Sequence, residues 1–295
     1  MKMKIKSKAL VFYQNLTPLH MGTGTEIGFV DLPIQREKVT GFPKGEASGI
    51  KGAFKGESEH PEWFGKERQN NNTEGDNTED DNNAGNGWDI GSFRFTDARL
   101  LFFPVREYGG KMFVWVTCPF VLKRYYEEIK DMGICKTMEG CNIGNKVPDD
   151  KTAYPLSGSD FVKKLYLEDF EFNVVPAQDW HFPAERLMES EKSDMDKLKN
   201  SLYLISDTMF SYFCEMSTEV QTRIRIGENG VVEEGALFQE EFLPEYAFLY
   251  NFIEQLEINE KADLTVMLDE PHNIIQLGGD MTLGKGICKY WYYVN

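Results

Sequence analysis

Two prolines limit what the chain's most visible motif can build. Gly22-Thr23-Gly24-Thr25-Glu26-Ile27-Gly28 follows the β-forming run from Lys8 to Leu16, so a strand feeds a glycine-rich loop. That order invites a dinucleotide-binding reading. The spacing, however, is GxGxxxG, and Asp31, Pro33 and Pro43 stand where the phosphate-binding helix would begin. Proline removes a backbone donor and crowds the preceding turn, so helix is excluded across this span. Two readings stay open: a sharp surface loop, or glycines that let backbone approach a phosphate.

Beyond the loop, strands and helices mix without a βαβα rhythm. Ser48 is placed to cap a short helix from Gly49 to about Lys55. Phe93 to Phe103 and Lys111 to Thr117 read as strands joined by a turn at Tyr108-Gly109-Gly110, with a helix from Pro119 to about Lys130. Tyr166 to Val175 is strand-like, and Pro183 to about Met216 has long helical stretches. Val220 to Ile226 alternates apolar and polar residues, which predicts a half-buried strand. Tyr246 to Leu256 predicts a helix with Leu249, Phe252, Ile253 and Leu256 on one face. Two short strands flank Gly278 to Gly286 at the end. The pattern points to an α+β fold on an antiparallel sheet, with no tandem repeat.

Charge sharpens this. The formal sum is 32 − 48 = −16, but Gly56 to Asp89 carries ten acids against Lys66 and Arg68, a net −8, so half of the excess is local. Its centre, residues 69–87, holds seven Asn, three Gly and five acids, with no aliphatic larger than Ala84. Such a segment buries too little to offset ordering it, and reads as a mobile acidic insertion within one domain, 1–295. Total charge therefore does not exclude a nucleic-acid partner. No apolar run approaches the roughly 18 residues of a membrane span. The basic N-terminus leads into four apolar residues, too few for a signal peptide. Five cysteines without a Cys-x-x-Cys pair make neither a disulfide framework nor a zinc site, as in a reducing cytoplasm.

Local chemistry stops at two glycine loops and some carboxylates. Gly278 to Gly286 holds Lys285 between glycines but lacks Walker spacing, leaving a phosphate contact or a hairpin turn. Asp31 by itself is a turn former or a solvated charge, and Glu240-Glu241 a solvated strand end. His20 reads first as a structural histidine, and no histidine has metal-ligand spacing.

The ordered series of motifs adds a resemblance. Leu16-Thr17-Pro18-Leu19-His20-Met21-Gly22-Thr23-Gly24 resembles the opening motif of the RAMP superfamily of CRISPR systems. Val30-Asp31-Leu32-Pro33-Ile34-Gln35-Arg36-Glu37 and Thr40-Gly41-Phe42-Pro43 are similar to the backbone subunits of type III-B (Cmr) effector complexes. Trp63-Phe64-Gly65, Phe95 to Leu101, Val116 to Leu122, Glu240-Glu241 before Leu243-Pro244, and Gly278 to Gly286 follow in the same order.

The resemblance implies a ferredoxin-like, RNA-recognition-motif-type core with insertions and a β-hairpin thumb. It further implies copies polymerised along a CRISPR guide RNA, beside other effector subunits, cutting bound target RNA at intervals with Mg²⁺ or Mn²⁺. Carried over, Asp31 is the catalytic, metal-holding aspartate, with His20, Glu240 and Glu241 as second-rank candidates. Ser48 and Lys51 match the block that grips guide backbone, although it reads Ala47-Ser48-Gly49-Ile50-Lys51-Gly52 where the family has approximately Gly-Ser-Ser-hydrophobic-Lys-Gly. Lys55, Arg36, Gly278, Gly279 and Lys285 complete the expected RNA contacts. A non-cleaving guide-binding filament subunit is the rival reading, distinguished by the presence of Asp31. A guide-processing RAMP nuclease is the other, and such enzymes rest on His- or Tyr-centred sites.

Overall fold

The computed structural model describes residues 3–65, 90–134, 140–156, 162–177, 179–183, 198, 200–227, 229–269 and 273–295. The acidic insertion, 69–87, lies outside the described residues. At the centre is β1 (Ile5–Asn15), flanked by β12 (Phe248–Leu256) on one side and β14 (Ile287–Val294) on the other, both antiparallel. Beyond β12 come β4 (Ala98–Arg106) and β5 (Phe113–Thr117), and β13 (Ile274–Gln276) lies outside β14. Short β2 (Lys44–Gly45) and β3 (Phe93–Phe95) add to β4 and β12.

Strand alternation explains why the central strands read as unbroken apolar runs. On β1 and β14, Tyr13 pairs with Tyr290 and Phe12 with Trp291, and successive residues face opposite sides. The Tyr13 side meets α1 (Ala47–Glu57), where Phe54 packs edge-on against Tyr290 at 5.4 Å. The Phe12 side meets α2 (Pro119–Met132), where Tyr125 lies 6.2 Å from Phe12 and 4.9 Å from Tyr250. Helices thus cover both faces, and seven consecutive residues of β1 are buried.

This layering corrects one expectation. Phe248–Leu256 is a strand, not a helix, and all nine of its residues are buried between β1 and β4. A run covered on both faces loses the period that separates strand from helix. Its polar members are paired: the Tyr13 hydroxyl donates to Asn251 at 3.1 Å, and Lys8 lies 3.7 Å from Glu254.

Four further points concern the periphery. The sheet is mixed rather than antiparallel, because β9 (Leu202–Leu204) runs parallel to β5, and β6 (Thr152–Pro155) parallel to β8 (Phe170–Val174). Strand β9 falls within the span expected to be helical, and α3 (Asp207–Met216) occupies its end. Strand β8 forms a hairpin with β7 (Lys164–Leu167), splitting the expected single strand in two. Lastly, β10 (Glu219–Ile226) pairs with β11 (Val232–Phe242) in a separate two-stranded ribbon. Its strand period holds, but Val220, Ile224 and Ile226 are exposed, because no layer covers that face.

Helix α1 starts earlier than expected. Ser48 lies inside its first turn, and the Asp97 carboxylate accepts the Ala47 N–H at 3.0 Å instead. Lys44 donates to the same carboxylate at 2.9 Å. Partial burial opposes the Asp97 charge, but the hydrogen bonds from Lys44 and Ala47, with the nearby charges of Lys44 and Arg99, hold its pKa below the ordinary 3.8. A depressed carboxylate pKa adds stability that is complete above the unfolded value and disappears as pH falls through the folded one. Urea midpoints of the native chain and Asp97→Asn are therefore expected to differ at neutral pH and to converge below about pH 4. A gap that persists in acid contradicts this.

Candidate functional site

The proline-containing stretch forms an arm rather than a helix. Met21 to Thr23 runs against Pro33 to Gln35, with Gln35 N donating to Met21 O at 2.7 Å and Thr23 N to Pro33 O at 3.2 Å. At its far end Glu26 N donates to Asp31 O at 3.0 Å, closing a tip where Ile27 and Phe29 are fully exposed. The arm then docks on the edge of β11 opposite β10. Leu32 N donates to Gln239 O, and Glu241 N to Leu32 O, both at 3.0 Å. Asp31 heads this contact: its side chain is exposed, and Oδ2 accepts the Gln239 N–H at 2.8 Å.

Glu241 and Arg36 brace the arm. The buried Glu241 carboxylate accepts Ile34 N at 3.0 Å, Thr218 Oγ1 at 2.8 Å and Arg36 Nη2 at 2.6 Å. Arg36 Nη1 also donates to the carbonyls of Gly41 and Cys214, each at 2.9 Å. The Glu241 side chain is buried and that of Arg36 partly so.

His20 and Glu240 form a second cluster. His20 Nδ1 lies 2.7 Å from Glu241 O, and a carbonyl only accepts, so this partner assigns the proton to Nδ1. Nε2 then faces Glu240 Oε1 at 3.5 Å. Burial pushes the Glu240 pKa up; His20 and Arg223 oppose the shift and the neighbouring Asp280 carboxylate reinforces it. Arg223 and Asp280 were not marked by the sequence. One is a lone cation on an alternating strand, and the other a single acid in a glycine loop 57 positions later.

A cleft of about 160 Å³ joins the two glycine loops to α1. Its lining includes His20, Gly22, Gly49, Gly278 and Gly279. The loops can close to this distance because side chains are absent. Gly279 N donates to His20 O at 2.8 Å, and a Cβ on Gly278 would stand 2.1 Å from the same His20 oxygen. Ser48 is exposed on the helix turn that supplies Gly49. Lys51 follows one turn on, its pKa lowered by partial burial and by Lys55. Lys55 Nζ reaches Gly65 O at 3.5 Å, and Lys285 Nζ sits 4.9 Å over the Phe242 ring.

Fold and site together define an α+β unit with a glycine-lined cleft between two loops and the first helix. The profile of the RAMP superfamily matches residues 13–289, and the chain belongs to that family. It is 32% identical over 291 residues to the Cmr endoribonuclease Cmr4 of Pyrococcus furiosus, covering 95% of this chain and 94% of the relative. It is 22% identical over 308 residues to the CMR subunit Cmr4 of Saccharolobus solfataricus, covering 94% of each. Among solved structures, it matches oligomeric Cmr4 from Pyrococcus furiosus with a TM-score of 0.65 at 24% identity, covering 98% of both chains. It also matches a chain of the type III-B Cmr-beta complex bound to cognate target RNA, with a TM-score of 0.70 at 21% identity over 97% of this chain and 96% of that one.

Proposed function

We propose that the chain is a backbone subunit of a type III-B CRISPR effector that polymerises along guide RNA and cuts bound target RNA at regular intervals. The observation that carries the reading is Asp31, an exposed carboxylate fixed by the Gln239 N–H to the β11 edge, on the strand that also carries Glu240. The 32% identity to an endoribonuclease, running nearly end to end, supports it. Likeness to an oligomeric relative and to a target-bound complex supports the partners: guide RNA, target RNA, further copies and other effector subunits. Among the described residues, no helix is long and apolar enough to cross a membrane. A cytoplasmic setting fits a ribonucleoprotein role.

The four-strand order β14-β1-β12-β4 supports a ferredoxin-like core. In it α1 lies between β1 and β4 in sequence, and α4 (Leu264–Leu268) between β12 and β14. The whole chain is then one RAMP unit with insertions. The β10–β11 ribbon, outside the main sheet and apolar on its exposed face, is the element suited to act as a thumb that splays guide–target pairing.

RNA can be cut by its own 2′-OH when a splayed nucleotide reaches in-line geometry. Among the described residues no three His, Cys, Asp or Glu side chains converge as a metal cage. One exposed carboxylate suits a hydrated Mg²⁺ or Mn²⁺, which keeps most of its ligands as water and phosphate oxygen. Such an ion, held by Asp31, would neutralise phosphate charge. Asp31 itself is oriented by the Gln239 N–H, so its free rotation is limited. His20 and Glu240 lie beside the cleft as a pair able to hold a proton between Nε2 and Oε1. Glu241 keeps the arm in place.

Guide association is expected to weaken as salt rises, because phosphate contacts release counterions. Lys51→Ala should reduce the log–log salt slope by about 1 and weaken different guide sequences alike. Filter binding across several guides and salt concentrations checks this. A loss that depends on guide sequence contradicts the assignment of Lys51 to phosphate.

A further inference from the structure

Arg223 links three segments that are distant in sequence. Its Nε lies 2.8 Å from Glu240 Oε2, an ion pair. Its Nη2 and Nη1 donate to the two oxygens of Asp280 at 2.8 and 3.2 Å, a two-point pair. The guanidinium also lies 5.5 Å over the Phe242 ring. The Arg223, Glu240 and Asp280 side chains are 19%, 5% and 21% exposed, so solvent screens the set only partly. The register places Arg223 opposite Phe238, so both belong to the ribbon face that carries Glu240 and Phe242 in alternation. That face turns toward the glycine-rich loop, while the apolar face turns to solvent.

Asp280 strengthens the case. It has φ +60° in a loop with glycines at 278, 279, 284 and 286. Left-handed backbone favours glycine, and an aspartate there gives up some of that ease. Its carboxylate gains the two-point pair with Arg223. The same loop contacts His20 through Gly279 N. One guanidinium therefore connects the ribbon to the loop that lines the cleft and to the carboxylate facing His20.

We propose that Arg223 is a positioning residue for RNA cleavage, a clasp that fixes the β10–β11 ribbon against the glycine-rich loop. In this way it holds Asp31's anchor on β11, the His20–Glu240 pair and the cleft in one frame. The inference rests on the RNA-cleaving reading given above. The clasp sets where the ribbon, with Asp31 fixed to its edge, stands relative to the glycine-rich loop, and touches no reacting atom. Loss of Asp280 breaks the same two-point pair as loss of Arg223, so either change releases the ribbon from the loop.

The test uses a reconstituted complex on guide RNA with matched target, comparing the native chain with Arg223→Gln, Asp280→Asn and the double variant. Each single change is expected to lower kcat about tenfold while KM for target stays within about twofold. The double variant should be no worse than either single, as expected of coupled residues. Arg223→Lys, which keeps charge but loses the two-point geometry, should recover only part of the rate. Cuts should also spread around their regular positions, which simple loss of folded protein does not cause. Additive losses, or native kcat and native cut positions in Arg223→Gln, overturn the clasp. Amide exchange of the isolated chain supplies a readout independent of cutting. Residues 219–226 should exchange faster in both single variants, with β1 and α1 unchanged. Unchanged exchange there overturns the clasp even if the native complex cuts nothing, whereas a non-cutting native complex with faster exchange in the variants overturns only the RNA-cleaving reading.

Discussion

Asp31→Asn is expected to leave folding, assembly and target binding intact while slowing target cleavage by at least ~10²-fold, the low end for losing an electrostatic or acid–base contribution. The structure explains why these effects should separate. Asn can still accept the Gln239 N–H through its amide oxygen, so the arm stays docked on β11. The negative charge that would hold a hydrated cation disappears. EDTA should reproduce the variant's defect in the native complex. Glu240→Gln and Glu241→Gln serve as comparisons. Glu241 accepts from Ile34, Arg36 and Thr218, so its variant should lower stability first. Quantified cleavage of end-labelled target, beside unfolding midpoints, distinguishes the three. An Asn variant that cuts at native positions and rate removes Asp31 from the site.

Gly278→Ala is expected to cost about 2–4 kcal/mol of stability and to weaken guide binding with it. A Cβ there would stand 2.1 Å from His20 O, a backbone atom that can yield only if the arm shifts. The residue also has φ +74°, where alanine is strained whatever the space. Gly52→Ala is the control. It lies within α1, and no atom comes within 4 Å of the added carbon, so it should stabilise by about 0.5–1 kcal/mol. Urea unfolding measures both. A native midpoint for Gly278→Ala would mean that the two loops are not packed as described.

Much of the fold was legible where turn residues or a proline mark the end of an element. Helix α2 and strand β5 fell close to their expected spans because a turn and a helix-starting proline mark them, whereas the single strand expected from Phe93 to Phe103 divides into β3 and a β4 that runs on to Arg106. Strand β12 was not, since Leu249, Phe252, Ile253 and Leu256 also satisfy helical spacing when every residue of a strand is apolar or internally paired. The start of α1 was missed because its N-terminal donor is satisfied by Asp97, about fifty residues away, and not by Ser48. Local pattern has no access to such a partner. For Val220 to Ile226, alternation revealed the strand but not which face would remain bare.

The site divides along the same line. The motif order brought out Asp31, His20, Glu240 and Glu241, and the structure gathers all four around residues 239–242 of β11. It also separates their surroundings: Asp31 exposed, Glu241 enclosed by three donors, and Glu240 shared between His20 and Arg223. Arg223 and Asp280 carried no signal, because a lone charge gains meaning only from the partner the fold gives it. Arg36, expected at RNA, spends its guanidinium on Glu241 and two carbonyls. Gly278 and Gly279 do line the cleft that the loop pattern suggested.

The most direct test of the central claim maps cut sites on a 5′-labelled target RNA bound by guide and native chain in a reconstituted type III-B complex with Mg²⁺. A ladder of regularly spaced products is expected, and it should vanish with Asp31→Asn while target binding persists. A target left intact, or one cut at irregular positions that Asp31→Asn does not change, contradicts it.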